Sequence, residues 1–145
     1  MAAVGASYGG YSVLMLAGLH ENRFKSFISH NGLFDMKSWY GTTEELWFAN
    51  WELGTNPWEN PHDKAFSEFN PSHYVNRWDT PLMIIQGNID FRVPYEQGQG
   101  AFQAAKLKGI KSKFLYFPDE NHWVLKPQNG LVWQREFFNW LKETL

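Results

Sequence analysis

The chain has 145 residues, a formal net charge of −2 and a hydrophobic fraction of 43%, with eight Trp and twelve Phe. That is one domain's worth of sequence with apolar surface enough for a core, and its aromatic content argues against disorder. The absence of cysteine excludes disulfides, thiolate catalysis and cysteine metal sites. No run of basic charge points to nucleic acid or an anionic membrane.

In chain order, Met1-Ala2-Ala3-Val4 reads as the end of a buried strand. Gly5-Ala6-Ser7-Tyr8-Gly9-Gly10 follows as a tight turn, and residues 12–17 as a buried helix ending near Gly18. Residues 24–29 form the next predicted strand, closed by Asn31-Gly32. From 34 to 80 the pattern is irregular and rich in Trp, Asn and Pro; it reads as an insertion or cap with one predicted helix over 44–51. Pro81-Leu82-Met83-Ile84-Ile85-Gln86 is a near-continuous apolar run, as expected of a strand buried on both faces of a parallel sheet. Residues 95–108 are helical in composition and stop at Gly109; 113–117 give another strand. From Gln128 onward Leu131, Val132, Phe138, Leu141 and Leu145 fall on helical spacings. The alternation predicts an α/β fold with a mostly parallel sheet flanked by helices. No run approaches the length of a membrane span, and the first residues lack a signal-peptide pattern, so the chain is expected to be soluble.

The chemistry starts at Gly5-x-Ser7-x-Gly9. A serine on a sharp strand-to-helix turn is presented to solvent, small flanking residues let the two elements approach, and the Tyr8 backbone N–H is placed to stabilise an oxyanion. A serine needs a base, and the base needs an orienting acid. Of His20, His30, His62, His73 and His122, only His122 sits just after a predicted strand and shortly before the last helix. His20 and His30 lie close to the serine in sequence, and His62 and His73 fall in the irregular segment. Asp90 follows the most apolar strand, at the end of the sheet where ligand sites of open α/β folds lie. Asp35 has the next claim, with a loop cap as its plainer role, while Asp119 and Glu120 are expected to shape the loop of His122. The residues therefore single out Ser7, Asp90 and His122. Arg92, two residues past the acid, reads on its own as a loop ion pair. No histidine pair has the spacing of metal ligands, so no metal or other cofactor is expected.

The stretches "GASYGGYSVLMLAG", "TPLMIIQGNIDFRVPYEQG" and "FLYFPDENHWVLKPQNGLVWQREFFNWL" closely resemble the catalytic domain of the prolyl oligopeptidase family of serine peptidases. The branch they most resemble is that of dipeptidyl and acylaminoacyl peptidases. The resemblance runs through the insertion and holds in the spacing of the three motifs. It implies Ser7 as the acyl-forming nucleophile, His122 as general base and then acid, Asp90 as its orienting acid and the Tyr8 N–H as one oxyanion donor. It places Arg92 where a carbonyl on the N-terminal side of the substrate is read, and Phe or Trp side chains of 34–58 along the pocket.

Family members carry further hydrolase strands and a β-propeller ahead of this serine, so the resemblance implies the C-terminal part of a larger peptidase. Two expectations follow. The first strand has an apolar edge that a second copy would cover, giving a homodimer or higher oligomer. Turnover of short peptides or small activated esters and amides is weak. The alternatives are a free-standing carboxylesterase on short acyl esters and a catalytically inert fragment that folds by oligomerising.

Overall fold

The computed structural model describes residues 1–145. Four apolar stretches become strands β1 (Ala2–Ala6), β2 (Ser26–His30), β3 (Leu82–Gly87) and β4 (Ser112–Phe117). They pair in parallel in the order β1-β2-β3-β4. The helices are α1 (Tyr8–Ala17), α2 (Met36–Thr42), α3 (Leu46–Leu53), α4 (Lys64–Ser67), α5 (Tyr95–Leu107) and α6 (Pro127–Thr144), with a 3-10 helix over Pro71–Arg77. Parallel neighbours cannot be joined by a hairpin, so each connection crosses a face of the sheet. α1 carries the chain from β1 to β2 and α5 from β3 to β4.

Side chains alternate across a strand, and the core divides accordingly. Phe27, Leu82 and Ile84 pack with Val13, Leu14 and Ala17 of α1 and with Ala101 and Ala105 of α5. Their neighbours Ile28, Met83 and Ile85 face the other way and meet Phe117 and the α6 residue Trp140. Fully burying a side chain of this size stabilises the fold by about 1.5–3 kcal/mol, so the two-sided burial of β3, complete at every residue, makes it the spine of the molecule. No helix is long and apolar enough to cross a membrane.

As expected, β1 is a strand with an open apolar edge, and Val4 is 49% exposed. The insertion is more regular than its sequence suggests, with α2, α4 and the 3-10 helix beside the expected α3. Helices of seven and four residues are too short to show an apolar period. Local caps and shared packing form them instead. The Asp35 and Asp63 side chains accept from Ser38 N and Ala65 N, and Leu33, Met36, Trp39, Tyr40, Ala49, Phe66 and Val93 close a second core beneath them. Buried Gln97 of α5 fixes the entry to the insertion, its Oε1 accepting from both Phe34 N and Asp35 N at 3.0 and 2.9 Å. Trp39 Nε1 and Thr43 Oγ1 donate to the Arg92 carbonyl at 2.9 and 2.8 Å. The insertion is thereby clasped to the loop that follows β3.

Candidate active site

The carboxyl ends of β1, β3 and β4 point the same way, and the loops that follow them carry Ser7, Asp90 and His122. Ser7 turns the chain from β1 into α1 at φ 57°, ψ −120°, a conformation that costs about 1–3 kcal/mol outside glycine. Backbone bonds hold it there: Ser7 N donates to the His30 carbonyl, and Tyr11 N to the Ser7 carbonyl, each at 2.9 Å. Serine at a helix N-cap ordinarily turns its hydroxyl onto the first helical turn. Here it makes no such bond, and Oγ lies 3.0 Å from His122 Nε2 instead.

The small residues act where backbones meet. A Cβ on Gly5 would sit 2.2 Å from the Gly9 carbonyl oxygen, and one on Gly10 would lie 2.7 Å from Gly32 Cα. Gly9, expected to be small for the same reason, has open space around its Cβ position; the crowding of the turn falls on Gly5.

His122 Nδ1 lies 2.7 Å from Asp90 Oδ2. An ionised carboxylate only accepts, so Nδ1 carries the proton and Nε2 presents its lone pair to Ser7. The other oxygen of Asp90, Oδ1, accepts from Arg92 N and Val93 N, both at 2.9 Å. Both oxygens are thus engaged on a side chain that is fully buried. Gln86 Nε2 donates to the Val93 carbonyl at 3.0 Å and steadies the same loop. The histidine loop has its own brace, as expected of Glu120: Oε1 accepts from Lys126 N and Asn129 Nδ2, and Oε2 from Leu125 N. Asp119 pairs with Lys126 and Asn129 at the loop's outer face.

A cleft of about 840 Å³ opens over Ser7 and His122. Its walls are mainly apolar: Tyr8, Tyr11, Leu33, Val93 and Trp123 with Met36, Trp39, Phe48, Leu53 and Phe69 from the insertion. Trp39 and Phe48 are the aromatic residues of 34–58 that reach it. Arg92 lines the cleft together with Glu45 and Glu52, and its Nε sits 2.8 Å from Glu45 Oε1, with Nη2 4.0 Å from Glu44 Oε1. This side chain therefore makes the loop ion pair and also lines the cleft. Tyr8 opens α1, so its N–H belongs to the first turn, where amides have no intrahelical partner and the helix dipole is positive. No three His, Asp or Glu side chains stand together as metal ligands would.

His30 lies close to the serine in sequence, and parallel pairing of β1 with β2 puts it opposite Ala6 in space as well. Burial, with His122 nearby, pushes its pKa from 6.5 down to about 4 against the opposing pull of Asp90. His30 therefore stays neutral at neutral pH and adds no charge under the site. Burial raises the pKa of Glu120, but the bonds from Leu125, Asn129 and Lys126 outweigh that and hold it below its ordinary 4.5. Both groups are depressed in the folded state, so the unfolded chain binds more protons and stability falls on acidification. The loss due to His30 falls between pH 6.5 and about 4, and that due to Glu120 begins below 4.5. Urea titrations across this range should show a shallower decline for His30→Gln in the upper window and for Glu120→Gln in the lower one. Unchanged slopes in both variants would contradict these assignments.

A parallel sheet with crossover helices, a serine on the strained strand-to-helix turn and a His–Asp pair on later loops together define an α/β-hydrolase fold. Similarity to known proteins narrows this. The whole chain, residues 1–145, matches the model of the prolyl oligopeptidase family, and the protein belongs to that family. It is 51% identical over 147 residues to dipeptidyl-peptidase 5 of Porphyromonas endodontalis, covering 100% of this chain and 21% of that protein. Dipeptidyl-peptidase 5 of Schizosaccharomyces pombe is 41% identical over 97% of this chain and 20% of its own length. Among solved structures, Pyrococcus horikoshii acylaminoacyl peptidase superposes with a TM-score of 0.91 at 25% identity, over 99% of this chain and 24% of that one. The chain thus spans about a fifth of the length of the curated relatives it matches.

Proposed function

We propose that this chain carries the catalytic serine machinery of a peptidase that cleaves peptide or small ester and amide bonds through an acyl-enzyme. The observation that supports it most is the unbroken line of hydrogen bonds from Ser7 Oγ to His122 and on to buried Asp90, opening on an apolar cleft. Ser7 Oγ attacks the substrate carbonyl as His122 Nε2 takes its proton. Asp90 holds the ring and stabilises the imidazolium, and the oxyanion faces the Tyr8 N–H. The imidazolium then gives the proton to the departing amine or alcohol. Water, deprotonated by His122, attacks the acyl-serine and releases the acid. Arg92, on the cleft wall beside Glu44 and Glu45, reads a substrate carbonyl with its guanidinium donors. For a protein of the relatives' full length, the reading is a dipeptidyl peptidase, as those relatives are named.

Aryl amides of apolar dipeptides and p-nitrophenyl esters of short acids separate the alternatives. The proposal expects turnover of both, abolished by a serine-directed inhibitor. Turnover of esters with none of the amides would make the chain a carboxylesterase, and turnover of neither would make it inert.

A further inference from the structure

The corner that ends β2 is bonded to both reacting side chains' loops. Asn31 lies at φ 45°, in the left-handed region that asparagine tolerates better than most residues, and is buried to 1% exposure. Its Nδ2 donates to the His122 carbonyl at 2.9 Å, across 91 residues of sequence, and its Oδ1 accepts from Gly87 N at 3.2 Å. Its own N–H extends the ladder to the Ile85 carbonyl at 2.8 Å. One residue earlier, the His30 carbonyl accepts from Ser7 N. Gly87 in turn touches the histidine loop, where a Cβ would lie 2.2 Å from the Asn121 carbonyl oxygen.

We propose that Asn31 is a positioning residue: its buried carboxamide ties the backbone of His122 to the end of β3, fixing the imidazole between Asp90 and Ser7. The proposal rests on the acyl-transfer reading of the site but concerns a geometry that can be observed without turnover. The β2 terminus then serves as a common reference for the nucleophile, through the His30 carbonyl, and for the base, through the Asn31 side chain. Only an amide does both jobs at this position. A carboxylate lacks the N–H that meets the His122 carbonyl, and aliphatic side chains offer neither group. A displacement of about 1 Å in a reacting group costs on the order of 10²-fold in rate.

The test compares Asn31→Asp and Asn31→Ala with Ser26→Ala, which loses a part-buried hydrogen bond donated by Thr144 at the opposite end of the same strand. In the full chain, both Asn31 variants are expected to lower kcat on a p-nitrophenyl ester by 10- to 100-fold with KM within twofold. Ser26→Ala should lose stability while keeping kcat. Nitrogen-15 labelling of histidine supplies a second readout: the far-downfield proton of His122 Nδ1 should broaden in the Asn31 variants and remain in Ser26→Ala. Asn31 variants with wild-type kcat and an unchanged His122 proton would overturn the proposal. If the wild type proves inert, the proton signal alone decides, since its loss in Asn31→Asp supports the role and its retention refutes it.

Discussion

Ser7→Ala should reduce hydrolysis of a p-nitrophenyl ester by about 10⁴–10⁶-fold, the range over which serine hydrolases lose rate without their nucleophile. The substitution removes only Oγ, whose one bond runs to His122 Nε2. The backbone bonds from Ser7 N to His30 and from Tyr11 N to Ser7 persist, and alanine bears the positive φ no worse than serine. The near-ultraviolet spectrum and the urea midpoint should therefore stay close to wild type. Full turnover in this variant would remove Ser7 from the mechanism.

The second large effect belongs to the acid. Asp90→Asn should lower kcat by about 10⁴-fold, and the geometry says why. Oδ1 is already committed to Arg92 N and Val93 N, so the asparagine oxygen will stay there and turn its NH₂ toward His122. A donor facing Nδ1 forces that nitrogen to accept, which moves the ring proton to Nε2 and points an N–H at Ser7. The base is then in the wrong tautomer while every distance is preserved. Kinetics on the ester together with histidine nitrogen shifts check both halves of this claim. A loss under tenfold, or an Nδ1 that remains protonated, would contradict it.

Much of this was legible in the residues. The apolar run before Gly87 became the buried central strand, and position after a strand pointed to Asp90 and His122, two side chains the fold brings within hydrogen-bonding distance of each other. Both depend on topology, which local pattern encodes well in α/β chains. What stayed hidden depends on distant partners. Asn31 looked like a turn residue because its role lies in a bond to His122, far away in sequence. His30 looked too near the serine, although adjacency of β1 and β2 makes that nearness structural. The helices α2 and α4 left no periodic signal, because their apolar residues are ordered by one another and by Val93 rather than by length. Gly9 drew attention from the motif, while the steric demand sits at Gly5 and Gly10.

The central claim is that Ser7 is an activated nucleophile as the chain stands. Treating the chain with a fluorophosphonate and mapping the adduct by peptide mass spectrometry tests it most directly. One adduct per chain is expected, on Ser7, formed rapidly in wild type and slowed strongly in Asp90→Asn. No adduct on a folded chain, or hydrolysis that continues with the adduct elsewhere, would contradict it.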